Sequence, residues 1–248
     1  MIPKIIHYCW FSGDKFPYLV KQCIKSWRKI LPDYEFKLWD SNSCDFNSVQ
    51  YIKEAYENKQ WAFVSDYIRL YALYNYGGIY LDSDVLVKQR FDEWHNLRFF
   101  TGIETRNPEH SNFWIEAAIL GSEHKNPLIK EAMQCYENKH FIKPDGTFDK
   151  TLAPDIITEC FIKHYGWQKK EGTIRYQDGT VVFGSDLITS SQYPITPTLK
   201  LYHCNNCSWI PTEDWRSPLY KYCRKHDLMR YYHIFEKLMV KIKRNKKT

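Results

Sequence analysis

Apolar and polar positions along the chain alternate between two periods. Residues 4–10, KIIHYCW, form a short and mainly apolar run closed by Ser12-Gly13-Asp14, the pattern of a buried strand followed by a turn. Residues 17–31, PYLVKQCIKSWRKIL, carry apolar side chains at helical spacing behind Pro17, which suits a helix N-terminus. Residues 34–40, YEFKLWD, have the look of a second strand. Strand, helix and strand in this order predict the start of a parallel sheet with helices on its faces. The pattern next predicts a helix near 47–57 and a longer one over 60–76, ended by Gly77-Gly78. Strands follow at 79–87 and 98–104, a helix at 126–138, and a hairpin at 174–184 around Asp178-Gly179. No internal repeat or low-complexity linker interrupts this order.

Two places break the apolar pattern. Between Trp61 and Tyr76 only Asp66 and Arg69 are charged, and the helix is otherwise mostly apolar on every side, as in a buried helix. Being three residues apart, the two share a face. Just beyond, in GGIYLDSDVLV (77–87), Asp82 and Asp84 interrupt a core-like strand. If that strand is extended, Tyr80, Asp82 and Asp84 share one face, and Ile79, Leu81, Ser83, Val85 and Val87 the other. Buried carboxylates are costly unless paired or bound to metal, and two close together raise each other's pKa. A divalent cation relieves this, and hard oxygen ligands suit Mg²⁺ or Mn²⁺. The plainer alternative is a pair of turn aspartates at a strand end, beside an Asp66–Arg69 pair that only steadies the core.

Composition changes this picture little. With 248 residues, 44% of them hydrophobic and 17% aromatic, the chain suits one large domain, or one domain with an appendage. The net charge of +6 is local: residues 221–248 hold ten Lys/Arg and two Asp/Glu, which leaves the rest slightly negative. A nucleic-acid partner is therefore not expected, because its basic charge would spread over a binding face. Residues 227–248 mix large apolar and basic side chains, which fits either a helix docked on the core or an amphipathic anchor on an anionic membrane surface. The eight cysteines are scattered, and no apolar run reaches the length of a signal core or a membrane span. The expectation is a reduced, cytoplasmic protein, with peripheral contact at the inner face of the membrane if the tail binds lipid. Cys204-x₂-Cys207 followed by Cys223-x₂-His226 has zinc-like spacing, but chance placement in a chain with eight cysteines is the favoured explanation.

The segment WAFVSDYIRLYALYNYGGIYLDSDV resembles the sugar-binding DXD region of glycosyltransferase family 32. That family includes yeast-type initiating mannosyltransferases and bacterial capsule enzymes, and its core is similar to that of the clostridial glucosylating toxins. IPKIIHYCW resembles the family's opening strand and YHCNNCSW (202–209) its closing segment. The resemblance covers residues 2–87 well and is weak from there to the closing segment. It implies an α/β, GT-A (Rossmann-like) nucleotide-sugar-binding fold over residues 1–226, with a mostly parallel central sheet and flanking helices. It also implies a nucleotide-sugar donor (a UDP-sugar favoured), Mn²⁺ or Mg²⁺, and retention at the anomeric carbon.

Carried over by position, Asp84 would ligate the metal, and Asp82 would contact the ribose and a metal-bound water. Asp66 and Arg69 would hold the donor sugar's hydroxyls beside Tyr80, and Trp10 would stack on the base. His203, Ser208 and Trp209 would close over the diphosphate, with His203 or Ser208 near the metal. Glu104, Asp155 and Glu159 are candidates for acceptor contacts. The expected activity is a metal-dependent, retaining glycosyltransferase extending a cell-surface or lipid-linked glycan such as a capsular polysaccharide. A toxin-like protein glycosyltransferase and a zinc-stabilised binding module are the competing readings, and the second leaves Asp66, Arg69, Asp82 and Asp84 unexplained together.

Overall fold

The computed structural model describes residues 1–107, 112–190 and 195–205, together with Tyr222. The chain opens with β1 (Ile5–Cys9), α1 (Tyr18–Ile30), β2 (Glu35–Trp39), α2 (Gln50–Glu57), α3 (Trp61–Tyr76), β3 (Gly78–Leu81) and β4 (Val85–Val87). It continues through β5 (Phe99–Asn107), β6 (Asn112–Ser122), α4 (Pro127–Glu137), α5 (Ala153–Tyr165), β7 (Ile174–Arg175), β8 (Thr180–Val182), β9 (Ile188–Ser190) and β10 (Leu201–His203). A seven-stranded sheet has the order β2-β1-β3-β6-β5-β8-β7, and a small second sheet has the order β4-β10-β9.

The predicted first half stands. β1 is central and parallel to both β2 and β3, with α1 and α3 as the crossovers. α1 follows Pro17 and buries Val20, Cys23 and Trp27, the stripe its apolar spacing predicts. α3 is buried along most of its length and lies on the opposite sheet face with α2, α4 and α5. Tyr80 points into that layer, whereas Ile79 and Leu81 join α1 and the small sheet on the other side. Gly77 and Gly78 join α3 to β3 at positive φ (63° and 103°). A Cβ at Gly77 would lie 2.9 Å from the His124 backbone nitrogen, and one at Gly78 2.8 Å from the Ile5 carbonyl oxygen, so a side chain at either position collides with the segment after β6 or with β1.

The sheet is mostly parallel, with β2, β1, β3, β5 and β8 running one way, while β6 inserts between β3 and β5 antiparallel to both and β7 runs antiparallel at the edge. Two expectations change. The strand foreseen at 79–87 is two strands in different sheets, with the chain turning at Asp82–Asp84. β6, α5, β9 and β10 were not foreseen. The 126–138 helix and the hairpin at Asp178-Gly179 are as predicted, with Gly179 at φ 87°. None of the helices among the described residues is long and apolar enough to cross a membrane.

Candidate active site

The turn between β3 and β4 builds the site. Asp82 leaves the large sheet with its backbone N–H still donating to the Ala118 carbonyl (2.8 Å), and the Val85 N–H closes the turn onto the Asp82 carbonyl (3.0 Å). Both aspartates thus lie at the C-terminal end of a parallel strand, where ligands of open α/β sheets gather. β10 pairs with β4 in a register that sets His203 opposite Val85, and the Cys204 N–H donates to the Asp84 carbonyl (3.1 Å). One ligand atom each from Asp82, Asp84 and His203 then falls within 4.8 Å of the others. Asp84 thus reaches the cluster through the turn rather than by strand alternation, while Tyr80 and Asp82 do share a side: the Tyr80 hydroxyl donates to Asp82 Oδ1 (2.7 Å). Burial pushes the Tyr80 phenol well above its usual pKa, so it stays a donor.

Arg69 ties the helix to this turn. Its Nη2 donates to Asp66 Oδ1 (2.7 Å) and lies 3.5 Å from Asp82 Oδ1, its Nη1 donates to the Ala117 carbonyl (2.8 Å), and its Nε to the Ser65 carbonyl (3.2 Å). The guanidinium also stacks over the Tyr80 ring at 4.8 Å. Asp66 and Arg69 therefore do both things weighed for them: they brace the core and they line the cleft. Asp66 Oδ2 accepts from the Ala153 N–H at the start of α5 (3.2 Å). Burial raises the Asp66 carboxyl to about 6 against the opposing pull of Arg69.

β6 supplies a residue that the sequence reading missed. Thr101 pairs with Leu120 and Ile103 with Ile115, so Gly102 alone faces Glu116–Ile119, and the chain bulges there. The Thr101 hydroxyl donates to the Glu116 carbonyl (2.6 Å), and the Ala118 N–H donates to Glu116 Oε1 (2.8 Å). Glu116 Oε2 lies 3.3 Å from His203 Nδ1, and His203 Nε2 lies 3.5 Å from Asp84 Oδ1. Burial by itself would lower the His203 pKa, but Glu116 and Asp84 together raise it well above the usual value. Glu116, opposed by its own burial, is held below the ordinary carboxylate range by His203. The available signal was the one that exposed Asp82 and Asp84: a lone carboxylate inside the apolar run FWIEAAILG.

These groups line a cleft of about 680 Å³ that also takes in Trp10, Lys15, Trp61, Glu104 and Pro154. The Trp10 indole N–H donates to the Asp14 carbonyl (2.8 Å) and its ring meets Phe16 edge-on, which fixes its plane at the mouth. Of the acceptor candidates, Glu104 lines the cleft, whereas Asp155 and Glu159 on α5 lie outside its lining. Ser208 and Trp209 lie outside the described residues, as do Cys207, Cys223, His226 and the tail after 227. Two carboxylates and one imidazole are a donor set that fits Mn²⁺, and Mg²⁺ less well because of the nitrogen ligand.

The family of capsular polysaccharide synthesis proteins matches residues 1–183. Inositol phosphoceramide mannosyltransferase 2 of Schizosaccharomyces pombe is 39% identical over 173 residues, covering 66% of this chain and 47% of that protein. An uncharacterized glycosyltransferase, L373, of Acanthamoeba polyphaga mimivirus is 27% identical over 222 residues, 85% of each chain. Among solved structures, galactosyltransferase LgtC in complex with donor and acceptor sugar analogues aligns over 90% of this chain and 93% of its own, at 13% identity and a TM-score of 0.48. The chain spans about half the length of the yeast relatives it matches over comparable stretches.

Proposed function

Because the chain belongs to the family of capsular polysaccharide synthesis proteins, we propose that it is a metal-dependent glycosyltransferase, moving a sugar from a nucleotide-sugar donor to a hydroxyl of a cell-surface or lipid-linked glycan. The observation that carries this reading is the meeting of Asp82, Asp84 and His203 in the cleft that also holds the Asp66–Arg69 pair. A zinc-stabilised binding module would leave the paired carboxylates that line this cleft of about 680 Å³ unexplained. The sequence relatives named as mannosyltransferases of inositol phosphoceramide support a glycolipid acceptor at least as well as a capsular one.

Asp82, Asp84 and His203 would hold the metal, which when bound supplies positive charge against the departing diphosphate. The remaining work falls to this chain's own groups. Trp10 offers an aromatic face to the base. Asp66 keeps acceptor capacity beyond Arg69 and the Ala153 N–H, enough to take donor-sugar hydroxyls, and Arg69 fixes its orientation. The buried Arg69 charge, 3.5 Å from Asp82, adds a preorganised positive field where the leaving group gains negative charge. Glu104 lines the cleft wall, where we place the approach of the acceptor hydroxyl. We take the donor to be a UDP-sugar and the reaction to retain anomeric configuration. The basic residues after 221 supply charge for contact with an anionic leaflet, where each contributes about 1 kcal/mol.

The test is a panel of UDP- and GDP-sugars with Mn²⁺, followed by release of nucleoside diphosphate. One donor should be hydrolysed slowly in water and faster when a glycan or glycolipid acceptor is added. If no donor in the panel is consumed with any divalent cation, the reading fails.

A further inference from the structure

Glu116 has no role in donor or acceptor binding as described above, yet its carboxylate is only 3% exposed and both of its oxygens are engaged. Such burial is costly unless the charge has a defined partner. One oxygen is fixed by the Ala118 N–H, and the other faces His203 Nδ1 at 3.3 Å. The same imidazole presents Nε2 to Asp84 at 3.5 Å. The backbone under Glu116 is itself pinned, since Thr101 Oγ1 donates to the carbonyls of Glu116 (2.6 Å) and Ile119 (3.1 Å) across the bulge. Gly102 allows the close approach: a Cβ there would lie 2.4 Å from Ile188 Cγ2. Carboxylate, imidazole and cation site thus fall in line, the arrangement in which an outer carboxylate fixes the ring and raises the basicity of the ligating nitrogen.

We propose that Glu116 is a positioning residue that accepts a hydrogen bond from His203 Nδ1–H and so aims Nε2 at the space between Asp82 and Asp84. The proposal deepens the metal-site reading and rests on it. Glu116 does not touch donor or acceptor; it acts through His203, and its bulged strand serves both members of the site, because Ala117 and Ala118 next to it accept from Arg69 and from the Asp82 N–H.

The test uses the whole chain and Mn²⁺ alone as probe. Glu116→Gln keeps the shape and removes the charge, and Mn²⁺ affinity should fall about 10- to 100-fold. In a His203→Ala background the same change should have almost no further effect, since the two residues act as one unit. Metal-free nuclear magnetic resonance supplies a second readout: the slowly exchanging His203 Nδ1–H signal should be present in the native protein and lost or shifted in Glu116→Gln. Glu116→Asp, which keeps the charge but shortens the reach, should behave like Glu116→Gln and serves if the glutamine variant folds poorly. An unchanged Nδ1–H signal, or equal Mn²⁺ losses with and without His203, would overturn the proposal. If native protein and Asp84→Ala bind Mn²⁺ equally weakly, the metal reading fails at its own step, and the metal-free spectrum still decides whether Glu116 holds the ring.

Discussion

His7 and His203 are histidines on neighbouring β-layers with opposite electrostatics. His7, on β1, is fully buried; its Nε2–H donates to the Gly77 carbonyl (2.8 Å) and its Nδ1 accepts from the Trp39 indole (3.2 Å). Both partners are neutral and specify one tautomer, and burial lowers the His7 pKa to about 4. His203, on β10, is 16% exposed and lies between the carboxylates of Glu116 and Asp84, which outweigh its burial and keep it charged when no cation is present. The difference teaches that burial does not make a site. His7 closes the α3–β3 joint, whereas His203 belongs to a cluster of charges that no packing argument requires. A cation held by Asp82 and Asp84 would take over the charge that the His203 proton supplies.

The largest expected effect is at the His203 end. Asp84→Ala should lower transfer by about a thousandfold or more, the scale of losing a principal stabiliser of developing charge, while far-ultraviolet circular dichroism and melting change little. Turnover within tenfold of native at saturating Mn²⁺ would contradict the assignment.

Arg69→Met tests the structural half of the same cluster. It leaves Asp66 and Asp82 facing each other without their common cation, and breaking a buried pair this way costs about 3–5 kcal/mol. Urea unfolding should show that loss, and part of it should return in Asp66→Asn/Arg69→Met.

At the other histidine, acid is the probe. The folded His7 pKa lies below the unfolded value of 6.5, so the unfolded chain takes up the proton first. Its contribution to stability is therefore whole above about pH 6.5 and falls as pH drops toward 4, by roughly 3 kcal/mol in all. His7→Gln should be less stable at pH 7 and should lack this part of the decline, so the two unfolding curves converge on acidification. Parallel curves would mean that His7 takes up its proton in the fold as readily as in the unfolded chain.

His203 should show the reverse sign. Its folded pKa is raised, so in metal-free protein its contribution is present below pH 6.5 and is lost as pH rises through the folded value. Metal-free His203→Gln should therefore differ most from native at low pH and least at alkaline pH, with Mn²⁺ abolishing the trend in the native protein.

What could be seen in the sequence follows from where the information is stored. Asp66, Arg69, Tyr80, Asp82 and Asp84 stand out because charges violate a local apolar pattern over a continuous stretch, and Gly77-Gly78 marks the joint between them. The β1–α1–β2 start was equally plain from periodicity. The break of the strand at Asp82 was not, because apolar residues continue into β4, and only the pairing of β4 with β10 shows that Val85–Val87 belong to another sheet. Glu116 carried the same local signal, a carboxylate inside an apolar run, but its role was not legible, because it depends on a bulge in β6 and on a histidine 87 positions later, contacts that no window of local sequence contains. The zinc-like spacing and the basic tail fall, Cys204 apart, on residues outside those described, and they stay as the sequence leaves them.

The central claim is that a nucleotide sugar and a divalent cation bind together at Asp82, Asp84 and His203. Calorimetric titration of the donor identified in the panel, into protein with and without Mn²⁺ and into Asp84→Ala, tests it most directly. The account predicts tight binding only for native protein with Mn²⁺, and mutual tightening of donor and metal by the same factor. Equal donor affinity without the cation, or in Asp84→Ala, would contradict it.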